Sequence, residues 1–252
     1  MKLFEPFFNR SKSTPAPVPN RNPIRQYASC DCFETKPNSR AWKEVSLHDA
    51  RQDIGSEEWK ALEAYIERVR KNGETEFDPI KGIGIENWEK IVALPPSIGS
   101  LQSVKFITFY GSHLVRIPPE IGELSNLEEF DIYTSYCLHW LPYEITRCTK
   151  LKSSRISTRA LYGNFKYRPP FPQLPSKIAE LAPAVCSICR NEFDERGPLQ
   201  AWISLAVATD VVPLLVHACS KACLDRLPSP PDGYVPNWHR GGLRVQQPPR
   251  FF

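Results

Sequence analysis

The sequence has no long hydrophobic run. No stretch approaches the roughly 18 uninterrupted apolar residues that a membrane-spanning helix needs. The apolar beginning, Met1–Phe8, is broken by Glu5 and Pro6 and falls short of the apolar core of a signal peptide. We therefore expect a cytoplasmic protein that does not have a membrane as its partner.

Dense clusters of Lys and Arg are also lacking. The formal net charge is +4, from 32 basic and 28 acidic residues. Proteins that bind nucleic acid usually concentrate basic residues on one face, and this mild excess is spread along the chain. We therefore do not expect a nucleic-acid partner.

The motifs of the common enzyme classes are missing as well. The sequence contains no Walker loop, no G-x-S-x-G turn, no H-E-x-x-H motif and no complete dinucleotide fingerprint. Lys81–Ile85 holds a G-x-G but lacks the third glycine and a preceding strand, so it predicts a turn. The five histidines are scattered over the chain. We expect a protein without catalytic residues.

Shifts in composition divide the 252 residues into five segments. A Ser- and Pro-rich beginning predicts a flexible arm, and two cysteine pairs mark the last third. The expected segments are an arm at 1–27, a helical cap at 28–90, repeats at about 91–182, a zinc module at 183–240 and a loose tail at 241–252.

The cap contains the strongest helix signal of the chain, at residues 56–72. Ser56 suits the N-cap, acidic residues follow it, basic residues fill the last turn, and Gly73 favours a stop. The apolar residues share one face: Trp59, Leu62, Ile66 and Val69.

A repeat of 23 to 24 residues occupies the middle of the chain. Leu94–Gly99 reads L-P-P-S-I-G and returns as Ile117–Gly122 and again as Leu141–Ile145. Repetition at this period is typical of a solenoid, in which each unit buries its apolar edge against its neighbours. Such surfaces usually bind other macromolecules.

Each unit continues with Val104-x-x-Ile107-x-Phe109-x-x-Ser112-x-Leu114 or its equivalent. This pattern resembles the leucine-rich-repeat family, over about 91–182. The resemblance implies an α/β fold, a short leucine-rich-repeat solenoid covered by the N-terminal helices. Two departures stand out. The family's Asn is replaced by Ser112, Ser135 and Arg159, and Ser154 stands at an apolar position.

Alternation along the predicted strands separates core residues from surface residues. Ile107, Phe109, Phe130, Ile132 and Ile156 should point inward. Their neighbours, including Ser153 and Ser157, should project from the concave sheet. We expect a monomer that binds a protein partner there, since interface hot spots favour aromatic residues beside charges. Ordinary solvated strand residues are the alternative. The expected partner-binding residues are Phe106, Thr108, Tyr110, Glu129, Asp131, Tyr133 and Arg155.

Four cysteines in the last third have the spacing C-x2-C-x29-C-x3-C. Four thiolates suit tetrahedral Zn²⁺, and a site with four protein ligands is structural rather than catalytic. We expect Cys186, Cys189, Cys219 and Cys223 to bind a structural zinc ion. Residues 199–208 and 211–218 predict a hairpin, and 220–227 predict a helix.

This order of cysteine turn, hairpin and helix resembles a treble-clef zinc finger, over about 184–228. The resemblance implies a small α+β zinc module. It could close the end of the solenoid, or act as an adaptor that itself contacts a protein or nucleic acid. Two further alternatives are thiols in a metal-free core and a redox pair at Cys186 and Cys189. His217 could also replace one cysteine as a ligand.

Three other features remain at the level of expectation. Cys30 and Cys32 could bind a second metal with His48, although no matching cysteine pair is present. Cys137 and Cys148 fall at core positions of the repeats. The aromatic and basic insertion 162–171 predicts a proline-stiffened surface excursion.

Overall fold

The computed structural model describes residues 45–48, 50–175 and 182–249. The expected arm at 1–27, the start of the cap with Cys30 and Cys32, and the final residues of the tail lie outside this part. Ile178 and Leu181 of the last predicted repeat lie outside it too. The described residues form a mixed α/β protein with a parallel sheet.

The N-terminal cap is built on one long helix, α1, at Glu57–Asn72. The Ser56 hydroxyl accepts a hydrogen bond from the Trp59 amide at 3.3 Å, and Gly73 ends the helix with a φ of 62°. These contacts confirm the predicted helix and both of its ends. Two short helices follow, α2 at Pro79–Ile83 and α3 at Ile85–Trp88. The fully buried face of α1 is Leu62, Tyr65, Ile66 and Val69.

The strands of the repeats form one parallel sheet. Within the described residues the strands are β1 (Glu76–Phe77), β2 (Phe106–Thr108), β3 (Glu129–Ile132), β4 (Leu141–Pro142), β5 (Ser153–Ile156), β6 (Leu199–Val207) and β7 (Asp210–Ala218). The parallel sheet has the order β1-β2-β3-β5. Phe106 pairs with Glu129, and Glu129 pairs with Ser153, so equivalent positions of successive units lie side by side. This register confirms the predicted repeat and is consistent with a short leucine-rich-repeat-like segment.

The opposite side of each unit is a short 3-10 helix that begins after the Leu-Pro or Ile-Pro step. These helices are Pro96–Ser100, Pro119–Glu123 and Tyr143–Arg147. The apolar core lies between them and the sheet. Phe109 packs edge-to-face on Phe77 at 6.0 Å and on Phe130 at 5.9 Å, so an aromatic column joins the cap to the second unit.

The predicted hairpin is confirmed as β6 and β7, and it joins the repeats directly. Leu141 and Pro142 of β4 pair in parallel with Leu214 and Leu215 of β7, which makes a second sheet of order β4-β7-β6. One buried apolar cluster contains residues of the cap, the repeats and the hairpin alike. The cysteine module therefore shares the core of the repeats.

The turn of the hairpin covers the last strand of the parallel sheet. Ser154 on β5 lies beside Phe130 in the register. Its hydroxyl donates to Asp210 Oδ2 at 2.8 Å, and the Thr209 hydroxyl donates to the Ser154 carbonyl at 2.9 Å. A polar residue replaces the apolar one here because the next layer is a polar turn and not another repeat. Covering an edge strand in this way blocks pairing with another chain.

The predicted surface excursion at 162–171 is confirmed only in its middle, where Phe165 is 56% exposed, because both of its ends are buried. Tyr162 is 1% exposed and Phe171 is 2% exposed. Both rings pack against Trp202 of β6, at 5.9 and 6.0 Å. The Trp202 indole donates to the Pro172 carbonyl at 3.0 Å. The insertion thus supplies a second, aromatic core behind the hairpin.

The expected loose tail from Gly241 onward is also held in place as far as residue 249. The Gly242 amide donates to the Phe171 carbonyl at 2.9 Å, and the Gln247 side chain donates to the Pro169 carbonyl at 3.0 Å. Gly241 lies so close to Pro172 that a Cβ would meet its carbonyl oxygen. The tail packs on the insertion that the sequence placed at the surface.

His239 makes stability depend on pH in this aromatic region. Its ring stacks edge-to-face on Phe171 at 4.5 Å, and Nδ1 accepts a hydrogen bond from the Gly241 amide at 3.1 Å. Burial lowers the pKa of His239 to about 4. The unfolded chain, with a pKa near 6.5, binds the proton first, so stability should fall as the pH drops from about 6.5 to about 4.

We expect His239→Asn to weaken this dependence by about 2 to 3 kcal/mol across the window. The Asn carbonyl keeps an acceptor near the Gly241 amide but does not titrate. Urea unfolding of both proteins at several pH values measures the difference between their free energies of unfolding. Any release of metal from the cysteines affects both proteins alike and cancels in this difference. Parallel stability curves for the two proteins would contradict the role of His239.

Candidate functional site

The strands of the repeats direct their side chains as predicted. The inward residues are buried: Ile107, Phe109, Phe130, Ile132 and Ile156. Phe106, Tyr110 and Tyr133 point to solvent, with exposed fractions of 36%, 40% and 44%. Glu129 is exposed and Thr108 half-buried. The concave face therefore carries a row of aromatic side chains that the described part of the chain leaves exposed.

Two tyrosines and an ion pair lie together on this face. The rings of Tyr110 and Tyr133 are 6.2 Å apart and tilted by 38°. Arg155 Nη2 is 2.9 Å from Asp131 Oδ2, and its guanidinium carbon lies 5.7 Å from the Tyr133 ring centre. Because β2, β3 and β5 are in register, equivalent positions of successive units lie side by side and form this row. We call Tyr110, Asp131, Tyr133 and Arg155 the concave cluster.

The exposed residues on and beside the concave face differ from the expected ones at two positions. Ser157, expected to project from it, is 6% exposed, and its hydroxyl accepts a hydrogen bond from the Thr134 amide at 2.7 Å. Sequence reasoning missed Tyr136, which is 42% exposed just after β3. The exposure of Tyr136 could have been predicted, because this large aromatic residue lies outside the apolar positions of the repeat unit.

Serines form hydrogen bonds between neighbouring units where the repeats that this chain resembles have Asn. The Ser112 hydroxyl donates to Ser135 Oγ at 2.7 Å, and the Ser135 hydroxyl donates to the Phe109 carbonyl at 3.0 Å. In the third unit Ser157 makes the equivalent link, and not Arg159 as the 24-residue spacing predicts. These buried bonds hold neighbouring strands, and with them the concave cluster, in register.

The second candidate site is formed by the four predicted cysteines. The sulfur atoms of Cys186, Cys189, Cys219 and Cys223 all lie within 4.8 Å of one another. Cys189 and Cys219 sulfurs are 3.5 Å apart, and those of Cys219 and Cys223 are 3.6 Å apart. Zn–S bonds of about 2.3 Å in a tetrahedron place sulfurs about 3.8 Å apart. The donor set and its spacing therefore fit zinc.

A tight turn presents the first pair of cysteines. The Arg190 amide donates to the Cys186 carbonyl at 3.0 Å, and Arg190 has a φ of 62°. The amides of Ile188, Cys189 and Cys219 all point at Cys186 Sγ, at 3.4 to 3.5 Å. Burial raises the pKa of Cys186, but these three donors outweigh it and bring the pKa down to about 7. Cys186 is therefore ready to act as a thiolate ligand.

The second pair lies where β7 gives way to a short helix, α4, at Lys221–Leu224. The Ser220 hydroxyl caps this helix by accepting from the Cys223 amide at 3.3 Å. The hydrogen bond with Cys189, together with burial, raises the pKa of Cys219 to about 12. Several thiolates this close repel one another, so a cation is needed before all four can ionise.

The remaining candidate ligands are not part of this cluster. His217 is 2% exposed, and neither ring nitrogen has a hydrogen-bond partner within the part of the chain that the structure describes. His48 packs on His139 with ring centres 4.7 Å apart, while its proposed partners Cys30 and Cys32 lie outside the described residues. Among the described residues, only the four cysteines form a group that could hold a metal ion.

The two repeat cysteines differ from each other. Cys148 is buried as predicted, its thiol donates to the Ile121 carbonyl at 3.3 Å, and burial raises its pKa to about 12. Cys137 is half-buried. Cys148 is thus a core residue, which makes it a useful control for the cysteine cluster.

Comparisons with known proteins give limited overlap. Among solved structures, the chain is similar to a leucine-rich-repeat protein of Leptospira interrogans, at 33% sequence identity and a TM-score of 0.24. The match covers 25% of this chain and 16% of that one, so the chain spans less than a fifth of that protein's length. No family model and no curated protein matches the chain. Among the described residues, no helix is both long and apolar enough to cross a membrane.

Proposed function

We propose that this protein is a non-catalytic scaffold that binds a protein partner on the concave face of its repeats. The observation that carries the proposal is the concave cluster, in which exposed tyrosine rings stand beside the Asp131–Arg155 ion pair. Tyrosine and arginine are among the residues that dominate binding energy at protein interfaces.

The preorganisation of the cluster supports this role. Asp131 Oδ1 accepts from the Tyr133 amide at 3.0 Å while Oδ2 pairs with Arg155, so both carboxylate oxygens are engaged. Both tyrosines lie just beyond the ends of β2 and β3, where the Gly111 amide still donates to the Tyr133 carbonyl at 2.9 Å. A partner would lose little of its binding energy to ordering these side chains. An apolar or aromatic side chain of the partner would pack on the exposed sides of the two rings.

The zinc module has a structural role in this proposal. Its hairpin turn covers β5 through Ser154 and Thr209, and β7 pairs with β4. A bound zinc ion would hold Cys186 and Cys189 against the start of α4 and so stiffen the cover of the solenoid. The alternative of an adaptor finger requires a free face on the module, whereas most of the β7 side chains are buried. The redox alternative requires an isolated dithiol, whereas four sulfurs lie together.

The proposal also places the protein in a reducing compartment such as the cytoplasm. Thiolate ligands bind zinc only while they remain reduced, and disulfides form preferentially in secreted proteins. The described cysteines are all free.

The test uses Tyr133→Ala combined with Asp131→Asn. The Asn side chain keeps the acceptor for the Tyr133 amide, so we expect the fold to survive. A photo-crosslinking amino acid in place of Tyr110 identifies the partner, and titration calorimetry with that purified partner measures affinity. Loss of two hot-spot side chains should weaken binding by about 100-fold.

The matched control is Phe165→Ala combined with Asp232→Ala, which removes an exposed aromatic ring and an exposed carboxylate away from the repeats' strands. We expect the control to bind with unchanged affinity. Equal affinity for the concave double variant and the wild-type chain would overturn the proposal. Cross-linking from position 165 but not from position 110 would do so as well.

A further inference from the structure

The concave face carries an exposed carboxylate, that of Glu129, which has no ion-pair partner among the described residues. In the register, Glu129 lies between Phe106 of β2 and Ser153 of β5, so neither neighbouring strand places a cation opposite it. The lysine that precedes β5, Lys152, pairs with Glu128 at 2.5 Å. Glu129 is therefore available to a cation from outside the described part of the chain.

The tyrosines of the concave cluster lie at the other end of the same strands. Tyr133 follows Glu129 by four residues and points to the same face, so their Cα atoms are about 13 Å apart along the strand. The Tyr110 ring lies 6.2 Å from the Tyr133 ring. The face thus has an aromatic end and a negatively charged end. Aromatic surfaces of this kind bind proline-rich segments in the polyproline II conformation.

A segment with matching chemistry occurs in the chain itself, before the described residues. Residues 15–19 read Pro-Ala-Pro-Val-Pro, and Arg21 follows. Three prolines in five residues favour the polyproline II conformation, which rises about 3.1 Å per residue. In this conformation Pro17 and Arg21 are about 12 Å apart. This separation matches the one between Tyr133 and Glu129.

The described chain begins close enough for this segment to reach the concave face. Val45 packs in one buried cluster with Trp140. Trp140 follows Tyr133 by seven residues, so the two are at most about 25 Å apart. Residues 22–44, which connect Arg21 to Val45, span up to about 75 Å when extended. The connection is therefore long enough with most of its length to spare.

We propose that residues 15–21 of the chain dock on the concave face, with the prolines against the Tyr110 and Tyr133 rings and Arg21 beside Glu129. This docking rests on the proposed function of the face as a binding surface. The prolines cover aromatic rings that otherwise face water, and the tether keeps the segment near the face at a high effective concentration. A protein partner has to displace the segment, so residues 15–21 lower the affinity of the full chain for that partner.

The test places a photo-crosslinking amino acid at Asn20 of the full chain, which leaves the prolines and Arg21 intact. Cross-links within one chain are mapped by mass spectrometry of the monomer at low protein concentration. We expect them on the concave face between residues 129 and 133. Replacing the prolines at 15, 17 and 19 by Ala should lower the yield of these cross-links by about tenfold, because the ring contacts and the preformed conformation are lost together.

A charge exchange tests the pairing of Arg21 with Glu129. Glu129→Arg should lower the cross-link yield by about fivefold, because it sets two like charges beside each other. Adding Arg21→Glu to this variant should restore the yield. Glu86→Arg, which makes the same change at an exposed position of α3, is the matched control and should cross-link as wild type does. Thermal unfolding of each variant verifies the fold.

Three results would overturn the docking of residues 15–21. The first is the absence of cross-links from position 20 to the concave face, and the second is a yield in Glu129→Arg that equals wild type or is not restored by Arg21→Glu. The third is cross-links that join two chains and increase with protein concentration, since the occupant is then a second copy. Failure of the proposed function gives a different result: the cross-link within the chain persists, while partner affinity is unchanged in the variant with Tyr133→Ala and Asp131→Asn.

Discussion

Removal of zinc from the cysteine cluster should lower the unfolding midpoint by about 10 °C. The four sulfurs lie within 4.8 Å of one another and belong to two segments, Cys186–Cys189 and Cys219–Cys223. Without the ion these segments are joined mainly by two hydrogen bonds between Ser187 and His217: the His217 amide donates to the Ser187 hydroxyl, and the Ser187 amide donates to the His217 carbonyl. The apparent free energy of zinc binding in isolated fingers is about 10 to 16 kcal/mol. Here much less is lost, because the hairpin keeps its packing against the repeats.

Cys219→Ser is the variant that isolates this effect. It removes one thiolate from the cluster while leaving β7 and α4 otherwise unchanged. We expect protein purified without added metal to carry about one zinc ion per chain and the variant to carry almost none. A chelator should lower the midpoint of the wild-type chain and leave the midpoint of the variant where it is. Metal analysis and thermal unfolding measure both quantities.

Cys148→Ala is the matched control for the loss of a cysteine. Cys148 is buried in the repeats and its thiol donates to the Ile121 carbonyl, so its removal should cost about 1 kcal/mol. The zinc content of this control should equal that of the wild-type chain. A metal-free wild-type chain with rapidly modified thiols would contradict the zinc site and favour the redox alternative at Cys186 and Cys189.

The features that the sequence predicts well depend on local pattern. The long helix has its cap, its apolar face and its glycine stop within residues 56–73, and the hairpin has two apolar runs around one turn. The cysteine spacing identifies four candidate ligands without any knowledge of the fold, and the structure brings their sulfur atoms together. The repeat adds long-range information, since its period places Phe106 beside Glu129 and Tyr110 beside Tyr133.

The contacts between segments could not be predicted in the same way. The pairing of Leu141 with Leu214 joins residues far apart in the chain, and the sequence of neither segment indicates which segment it pairs with. Tyr162 and Phe171 are in a Pro- and Arg-containing stretch typical of a surface loop, yet both bury against Trp202. Once this packing is known, the polar Ser154 ceases to be an anomaly and marks the place where the solenoid ends.

A glycine shared by the first two repeat units gives the second large effect. Gly99 and Gly122 occupy equivalent positions in successive units, and Thr146 stands at that position in the third. A Cβ on Gly122 would overlap the Glu144 carbonyl oxygen and lie 2.7 Å from the Glu144 Cβ, so the backbone would have to move. On Gly99 the corresponding contacts with Glu120 are both 3.0 Å. The second unit therefore packs more tightly on the third than the first packs on the second.

We expect Gly122→Ala to destabilise the protein by about 3 kcal/mol and Gly99→Ala by no more than about 1 kcal/mol. Overpacking explains the first value, because Glu144 is fully buried and cannot swing out of the way. At Gly99 the milder contact is partly offset by the lower entropy of an unfolded chain with Ala in place of Gly. Urea unfolding with zinc in excess measures both, and equal costs for the two variants would contradict the argument.

Thr146, at the equivalent position of the third unit, supports the interpretation that close packing of the next unit requires glycine. A side chain is tolerated there because the next layer is the hairpin of the cysteine module and not a fourth 3-10 helix, and its hydroxyl donates to the Tyr143 carbonyl at 2.8 Å. Thr146→Ala should therefore change stability by less than about 1 kcal/mol.

Arg147, one residue on, donates to the Ser187 carbonyl at 3.1 Å in the cysteine turn. A shift of the third unit forced by Gly122→Ala should for this reason also speed hydrogen exchange at the Ser187 and Cys189 amides, whereas Thr146→Ala should leave both rates unchanged.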